Sequence, residues 1–258
     1  MLENELQACR ILVTRPGEQA KALISMIDQA GGIAVACPAI EILPSPITVE
    51  ALRLVLGQAD IVVFISSNAV RESAILLQTN QLMFPVTAQL ACVGPASAEA
   101  VQACYQRDVD ILPSCQFDSE GLLATSEMQD VAGKRVLIFR GKGGRELLGD
   151  SLLARGARVE YVEVYCRQAA NLLPEQRSAI IEGGIDLITA TSGEILQNLV
   201  AMFADDADWL FALPLLVVNN RQVEIARQLG FNNEILIAGQ ASDVAMFKAI
   251  RQFARQDI

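Results

Sequence analysis

Short apolar runs alternate with helix-length segments along the chain, and this alternation restricts the fold more than any other feature. The runs are Ile11–Thr14, Ile33–Ala36, Ile61–Ile65, Gln89–Val93, Val109–Leu112, Arg135–Phe139, Arg158–Val162, Asp186–Ala190, Pro214–Val218 and Glu234–Ile237. Most are β-branched and about five residues long, the pattern of parallel strands buried on both faces. The segments between them are long enough for crossover helices. Regular β–α alternation of this kind predicts parallel sheets with helices on both faces. The first helix shows the local logic. Pro16 sits near its start, where a missing N–H costs nothing. Leu23, Ile27 and Ala30 form one apolar stripe, and Gly31 supplies a left-handed stop.

The chain also repeats itself. A shift of 125 residues places Leu12 on Leu137, Arg15 on Arg140, Leu23 on Leu148, Gly31 on Gly156, Val93 on Val218 and Asp118 on Asp243. A shift of 126 places Asp60 on Asp186 and Ser66 on Ser192. The physical reading is one strand–helix unit used twice. Two equal repeats suggest a boundary near residue 125, but Asp118–Val131 reads there as an ordinary helix followed by a turn at Gly133. The linker-like stretch lies earlier, at Cys37–Thr48, with Pro38, Pro44 and Pro46; its counterpart is Val162–Pro174. Both have period-two apolar character, through Ile40 and Ile42 in one and Val162 and Val164 in the other. The expectation is therefore a discontinuous first domain of residues 1–37 and 168–258. A second domain, 46–160, is inserted into it through linkers at about 38–45 and 161–167. Each sheet then combines the start of one repeat with the end of the other.

Composition removes several classes of function. The 258 residues suit one large domain or two small ones, and 52% apolar content is ample for cores, built mainly of Leu, Ile, Val and Ala because aromatics are only 5%. A net charge of −10 argues against a nucleic-acid partner and an anionic membrane surface. It leaves an anionic small molecule open, because a few arginines and helix N-termini can hold one. Histidine is absent. This excludes Ser-His-Asp and Cys-His catalysis and His-ligated zinc or haem. Acid–base work falls to Tyr, Lys, Asp, Glu, a substrate group or water. Cys9, Cys37, Cys92, Cys104, Cys115 and Cys166 form no C-x-x-C pair. They read as small buried hydrophobes in a reducing cytosol, with no metal site. The start, MLENELQACRILV, carries glutamates where an export signal needs positive charge. The longest apolar runs, such as Leu210–Val218, are far short of a membrane span. A soluble cytoplasmic protein is expected.

Ligands of parallel α/β sheets bind at the carboxyl ends of the strands. The loops there are Thr14-Arg15-Pro16-Gly17, Ser66-Ser67-Asn68, Gly94-Pro95-Ala96-Ser97, Arg140-Gly141-Lys142-Gly143-Gly144-Arg145, Thr191-Ser192-Gly193 and Asn219-Asn220-Arg221. They are small, hydroxyl-bearing or basic, and each opens a helix whose free N–H groups suit a ligand with many carboxylates or phosphates. Plainer roles stand beside this one. Ser66, Ser67, Thr191 and Ser192 serve equally as N-caps, Arg15 and Arg140 as solvated surface charges, and Tyr165 as a packing residue. The Gly-rich loop lacks G-x-x-x-x-G-K-[ST], and Glu146 breaks G-x-G-x-x-G. Nucleotide binding therefore has no specific signal.

The segments ILVTRPGEQA, VFISSNAV, CVGPASAEAV, RVLIFRGKGGRELL, VEYVEVY and TATSGEIL, in this order along nearly the whole chain, closely resemble uroporphyrinogen-III synthases. The resemblance implies two flavodoxin-like (Rossmann-like) parallel-sheet domains joined by a two-stranded linker, the first discontinuous. It implies a lyase of tetrapyrrole and haem biosynthesis that uses no metal or organic cofactor. Such an enzyme closes hydroxymethylbilane into uroporphyrinogen III with inversion of ring D and loss of water. By position, Tyr165 matches the family's tyrosine proposed to assist departure of the hydroxyl. Thr14, Arg15, Ser66, Ser67, Gly94, Arg140, Gly141, Thr191 and Ser192 match loops expected to grip substrate carboxylates. One place departs from the pattern. Where a Gly-Pro-Thr-Thr-like turn is expected, this chain has Asn219-Asn220-Arg221-Gln222. A threonine role does not transfer there, and Asn220 or Arg221 is the candidate replacement. The resemblance further suggests a monomer, with hand-over of the bilane from hydroxymethylbilane synthase. Two other readings stand against it: a non-catalytic two-lobed binder of a small polyanion, and a nucleotide- or sugar-dependent transferase, which the missing glycine fingerprints disfavour.

Overall fold

The structure is a computed structural model that describes residues 5–144 and 146–255. Arg145 of the Gly-rich loop and the first residues of the N-terminal reading lie outside the described residues. The elements run β1 (Arg10–Val13), α1 (Gly17–Gln29), β2 (Ile33–Ala36), β3 (Ile40–Pro44), α2 (Val49–Leu56), β4 (Ile61–Phe64), α3 (Ser67–Thr79), β5 (Gln89–Cys92) and α4 (Pro95–Tyr105). They continue with α5 (Ser119–Leu123), α6 (Ser126–Gln129), β6 (Arg135–Gly141), α7 (Leu147–Ala154), β7 (Arg158–Ala169) and α8 (Pro174–Gly183). The last are β8 (Leu187–Thr189), α9 (Gly193–Met202), α10 (Ala207–Phe211), β9 (Leu215–Val217), α11 (Asn220–Leu229), β10 (Ile235–Ile237) and α12 (Asp243–Ala254). Among the described residues, no helix is long and apolar enough to cross a membrane.

The chain divides into two compact units, Met1–Glu41 with Gln168–Ile258, and Ile42–Arg167. The sheet of the first unit has the order β10-β9-β8-β1-β2, with every pair parallel. The sheet of the second has the order β3-β7-β6-β4-β5, and β4, β5, β6 and β7 pair in parallel. The repeat explains the likeness of the two orders. A shift of 125 carries β1 onto β6 and β2 onto β7, and β4 and β5 fall on β8 and β9. The row β9-β8-β1-β2 is thus the counterpart of β5-β4-β6-β7, and each sheet mixes the two halves of the chain.

Strand alternation sends neighbouring residues to opposite cores. In the second unit Val62, Phe64, Leu137 and Phe139 pack with α2, α3 and α4, while Ile61, Val63, Val136 and Ile138 pack with α5, α6 and α7. In the first unit Ile11, Val13, Leu187 and Leu216 pack against α1 and α12. Four of the few aromatics cluster in the second unit. Phe64 lies 5.4 Å from Phe139, 5.8 Å from Tyr105 and 5.9 Å from Phe84, ring centre to ring centre, so one core is aromatic at its centre.

Helix α1 follows its sequence signals: Pro16 precedes its first residue, and Gly31 takes φ 80°. Three expectations need correction. Val109–Leu112 is not a strand but a single bridge, Ile111 to Ala91. The Asp110 carboxylate accepts from the Leu90 N–H at 2.7 Å, in place of a backbone partner, and Pro113 follows with no N–H to offer. Asp118–Val131 is not one helix but α5 and α6, parted at Ala124 and Thr125. The Arg155 guanidinium reaches between them and donates to the carbonyls of Leu123 and Met128 at 2.8 and 2.9 Å. Those carbonyls are satisfied without a continuous helix. The cysteines are not uniformly buried either: Cys37 and Cys92 are, whereas Cys104 and Cys115 are exposed. Burial pushes the Cys37 and Cys92 thiols up to about 12.

Candidate functional site

In the second unit the informative residues gather at the carboxyl ends of β4, β6 and β7. Ser66 follows β4 with an extended backbone and caps α3, its Oγ accepting from the Ala69 N–H at 3.1 Å. The same Oγ lies 3.2 Å from the phenolic oxygen of Tyr165. Tyr165, in the second half of β7 and opposite the last residue of β6, is 3% exposed and belongs to the core beneath α3. Its ring lies close against Gly141, where an added Cβ would come within 2.6 Å of ring carbons. This close approach arises at a bulge: the β6–β7 register steps from Arg140 opposite Glu163 to Gly141 opposite Tyr165. The Lys142 N–H then donates to the Tyr165 carbonyl at 2.6 Å. Ser66, Gly141 and Tyr165, remote in sequence, thus form one contact set.

Arg140 points to the other face of the sheet. Its guanidinium carbon sits 3.9 Å from the centre of the Tyr161 ring, and Nη2 donates to Glu163 Oε1 at 3.1 Å. The Gly143 N–H reaches the same oxygen at 3.2 Å, so Glu163 holds the start of the glycine loop. Burial raises the Tyr161 phenol pKa, and the Arg140 charge pulls it partly back. Arg140 Nε and Nη1 are buried and have no hydrogen-bond partner among the described residues. Gly94 opens α4 from a buried, extended position against Phe117, and Ser67 is half-buried in the first turn of α3.

In the first unit several predicted residues face inward. Thr14 is fully buried, and its hydroxyl donates to the Thr189 carbonyl at 2.5 Å. Arg15 is 7% exposed; Nη1 pairs with Asp243 Oδ1 at 2.5 Å, and Nη2 donates to the Ala241 carbonyl. The solvated-surface reading of Arg15 and Arg140 is therefore wrong, since Arg140 is also only 6% exposed. Both guanidiniums lie over or within packed structure. Ser66 and Ser192 are N-caps, the latter accepting from the Ile195 N–H at 3.2 Å; Ser67 and Thr191 are not. Asn219 caps α11, and Asn220 and Arg221 are exposed beside it. A groove of about 440 Å³ is lined by Ser192, Gly193, Glu194, Asn219, Arg221 and Gln222, among others.

Gln222 is the residue that sequence reasoning missed. It is buried, its Oε1 accepts from the Val218 N–H at 2.7 Å, and its Nε2 donates to the Thr191 carbonyl at 2.9 Å. One amide thereby ties the loops after β8 and β9. The available signal was the Asn219-x-x-Gln222 spacing, the pattern of a capping box.

Two parallel-dominated sheets with helix-opening loops at their strand tips define an α/β protein of the doubly wound class. A family model described as uroporphyrinogen-III synthase HemD matches residues 21–248. The uroporphyrinogen-III synthase of Salmonella typhimurium is 35% identical over 247 residues, covering 93% of this chain and 99% of its own. That of Escherichia coli is 33% identical with the same coverage. Among solved structures, uroporphyrinogen-III synthetase from Helicobacter pylori superposes with a TM-score of 0.58 at 16% identity, over 93% of this chain and 97% of the other. A mutant uroporphyrinogen III synthase from Thermus thermophilus gives 0.56 at 15% identity, over 97% and 100%. At such identities the structures establish a shared fold. The chain belongs to the uroporphyrinogen-III synthase family.

Proposed function

We propose that this chain is a uroporphyrinogen-III synthase, closing hydroxymethylbilane into uroporphyrinogen III with inversion of ring D and loss of water. The observation that carries the reading is family membership over nearly the full chain. The chemistry suits a protein without histidine. Departure of hydroxide is pushed by a pyrrole nitrogen, so much of the reactivity belongs to the substrate. The protein has mainly to fold the bilane so that the substituted carbon of ring D is attacked first. No metal or organic cofactor is required by that sequence of steps.

In this reading Tyr165 is the general acid that meets the leaving oxygen, supported by the set it forms with Ser66 and Gly141. Ser67, Gly94, Arg140 and Gly141 in one unit, and Thr191, Ser192 and Asn220 in the other, supply N–H groups and side chains to the substrate, and Ser66 offers it a backbone N–H, its hydroxyl being engaged with Ala69 and Tyr165. The unpartnered Arg140 nitrogens support its part in this. Thr14 and Arg15 act from behind, since their side chains are engaged with Thr189, Asp243 and Ala241. We read the two units as flavodoxin-like domains, the first discontinuous, joined by β3 and β7 as a two-stranded linker. The division of the chain at Glu41/Ile42 and Arg167/Gln168, inside those strands, supports this. The same reading takes the protein as a cytoplasmic monomer that receives its bilane from hydroxymethylbilane synthase. The net charge of −10 disfavours nucleic acid and anionic membranes as partners.

The test is product identity. Hydroxymethylbilane is generated in place, the protein added, the products oxidised, and the type I and type III isomers resolved by chromatography. Type III is expected; unchanged type I product would return the chain to the class of polyanion binders. Tyr165→Phe is expected to lower kcat by roughly 10- to 100-fold, at or below the low end of general-acid effects, because the substrate supplies much of the reactivity. Wild-type turnover in that variant removes Tyr165 from the mechanism.

A further inference from the structure

We infer that Ser66 is the positioning residue for Tyr165: its hydroxyl donates to the phenolic oxygen and leaves the phenolic proton free for the departing hydroxyl of the bilane. This rests on the reading of Tyr165 given above and adds to it a direction for the proton.

The separation of 3.2 Å between Ser66 Oγ and Tyr165 Oη permits either group to donate. The helix cap favours the serine as donor. Ser66 Oγ already accepts from the Ala69 N–H at 3.1 Å. A hydroxyl has two lone pairs and one hydrogen. With its oxygen turned to the N–H groups and partial positive charge at the start of α3, the hydrogen points away from the helix, toward the phenol. Among the described residues no carbonyl or carboxylate takes that hydrogen. The ring itself cannot swing aside, because Gly141 lies against it and the Lys142 N–H holds the Tyr165 carbonyl. Capping alone does not require this arrangement. Ser192, the repeat counterpart of Ser66, caps α9 in the same way, and the residue 125 before Tyr165 is Ile40.

The proton accounting closes. Tyr165 gives its proton to the leaving oxygen, the carbon–oxygen bond breaks with its electron pair, and water departs as the pyrrole nitrogen supplies electrons to the carbon. The phenolate left behind faces the Ser66 O–H, with the α3 N-terminus beyond it. When the ring closes, the proton lost from the newly bonded ring carbon restores the phenol.

The experiment compares Ser66→Ala, Ser66→Gly and Ser66→Thr in the wild-type and Tyr165→Phe backgrounds. It follows kcat and KM for type III product, and the Tyr165 ¹³Cζ resonance in protein labelled at tyrosine. Ser66→Gly guards against loss of folding, because glycine is tolerated at an N-cap while lacking the hydroxyl. Expected are a kcat lower by about tenfold in Ser66→Ala and Ser66→Gly with KM within about twofold, and recovery to within about threefold in Ser66→Thr. In the Tyr165→Phe background, removing the serine hydroxyl should change kcat by less than about twofold. The ¹³Cζ resonance should move in Ser66→Ala and stay in Ser66→Thr. Equal losses of kcat in both backgrounds, or an unmoved resonance in Ser66→Ala, overturn the positioning role. Wild-type turnover in Tyr165→Phe alone would instead remove the acid on which the role depends.

Discussion

Gly141 is glycine for a steric reason. Its backbone angle is not among the positive-φ positions of the chain, so conformational freedom does not explain it. What explains it is the Tyr165 ring, which a Cβ would meet at 2.6 Å. Gly141→Ala therefore has to push a buried phenol off its contact with Ser66. We expect a loss of about 1–3 kcal/mol in urea unfolding, the usual range for overpacking, together with a fall in kcat like that of Tyr165→Phe. An alanine variant with wild-type kcat would mean that ring position is unimportant. None of this is legible in sequence. Ser66 and Tyr165 are 99 residues apart, and only the pairing of β6 with β7 brings the glycine under the ring. A sequence marks Tyr165 as scarce; it does not mark its neighbours.

At the scale of the element, the arginine after β1 fastens a helix made more than two hundred residues later. Arg15 pairs with Asp243 in the first turn of α12 and with the Ala241 carbonyl just before it. A cation near a helix N-terminus opposes the helix dipole, and the carboxylate offsets it. Breaking a fully buried pair costs about 3–5 kcal/mol. Asp243 is about a third exposed, so Arg15→Ala should cost less, about 2 kcal/mol. Denaturant unfolding measures this, and a change below about 0.5 kcal/mol would assign the pair to the surface class. Arg140, the matching residue of the other repeat, bonds instead to Glu163 on the neighbouring strand. The repeat thus conserves a buried guanidinium and not its partner, which is why sequence alignment of the halves identified the residue and misjudged its surroundings. Elements whose signal is intrinsic were readable: buried parallel strands are unbroken β-branched runs. Those decided by a remote group were not, as with α5 and α6, parted by Arg155 from a different element.

At the scale of the molecule, the alternation and the internal repeat made the two-sheet architecture legible, because both follow from periodicity. The chain divides at Glu41/Ile42, beside the prolines near residue 40; the pairing of that stretch as β3 beside β7 was not legible from periodicity, since a short period-two run does not name its partner, and only the family resemblance implied a two-stranded linker. The cores follow the division of the chain. Phe139→Ala should cost about 3–5 kcal/mol, as buried phenylalanines do. Its effect on amide hydrogen exchange should fall on residues 42–167, with β1, β8 and β9 keeping their protection. Equal loss of protection in both sheets would show that the units open together.

The order in which the chain is made now acquires a meaning. β1 and β2 leave the ribosome well ahead of β8 and cannot complete their sheet until it follows, because β8 is the neighbour that joins β1 to the rest. The whole of Ile42–Arg167 emerges in between, with β4, β5 and β6 and most of β3 and β7 of its own sheet. The inserted unit can therefore fold before the unit that hosts it, and β1 and β2, made ahead of it, find their place after it.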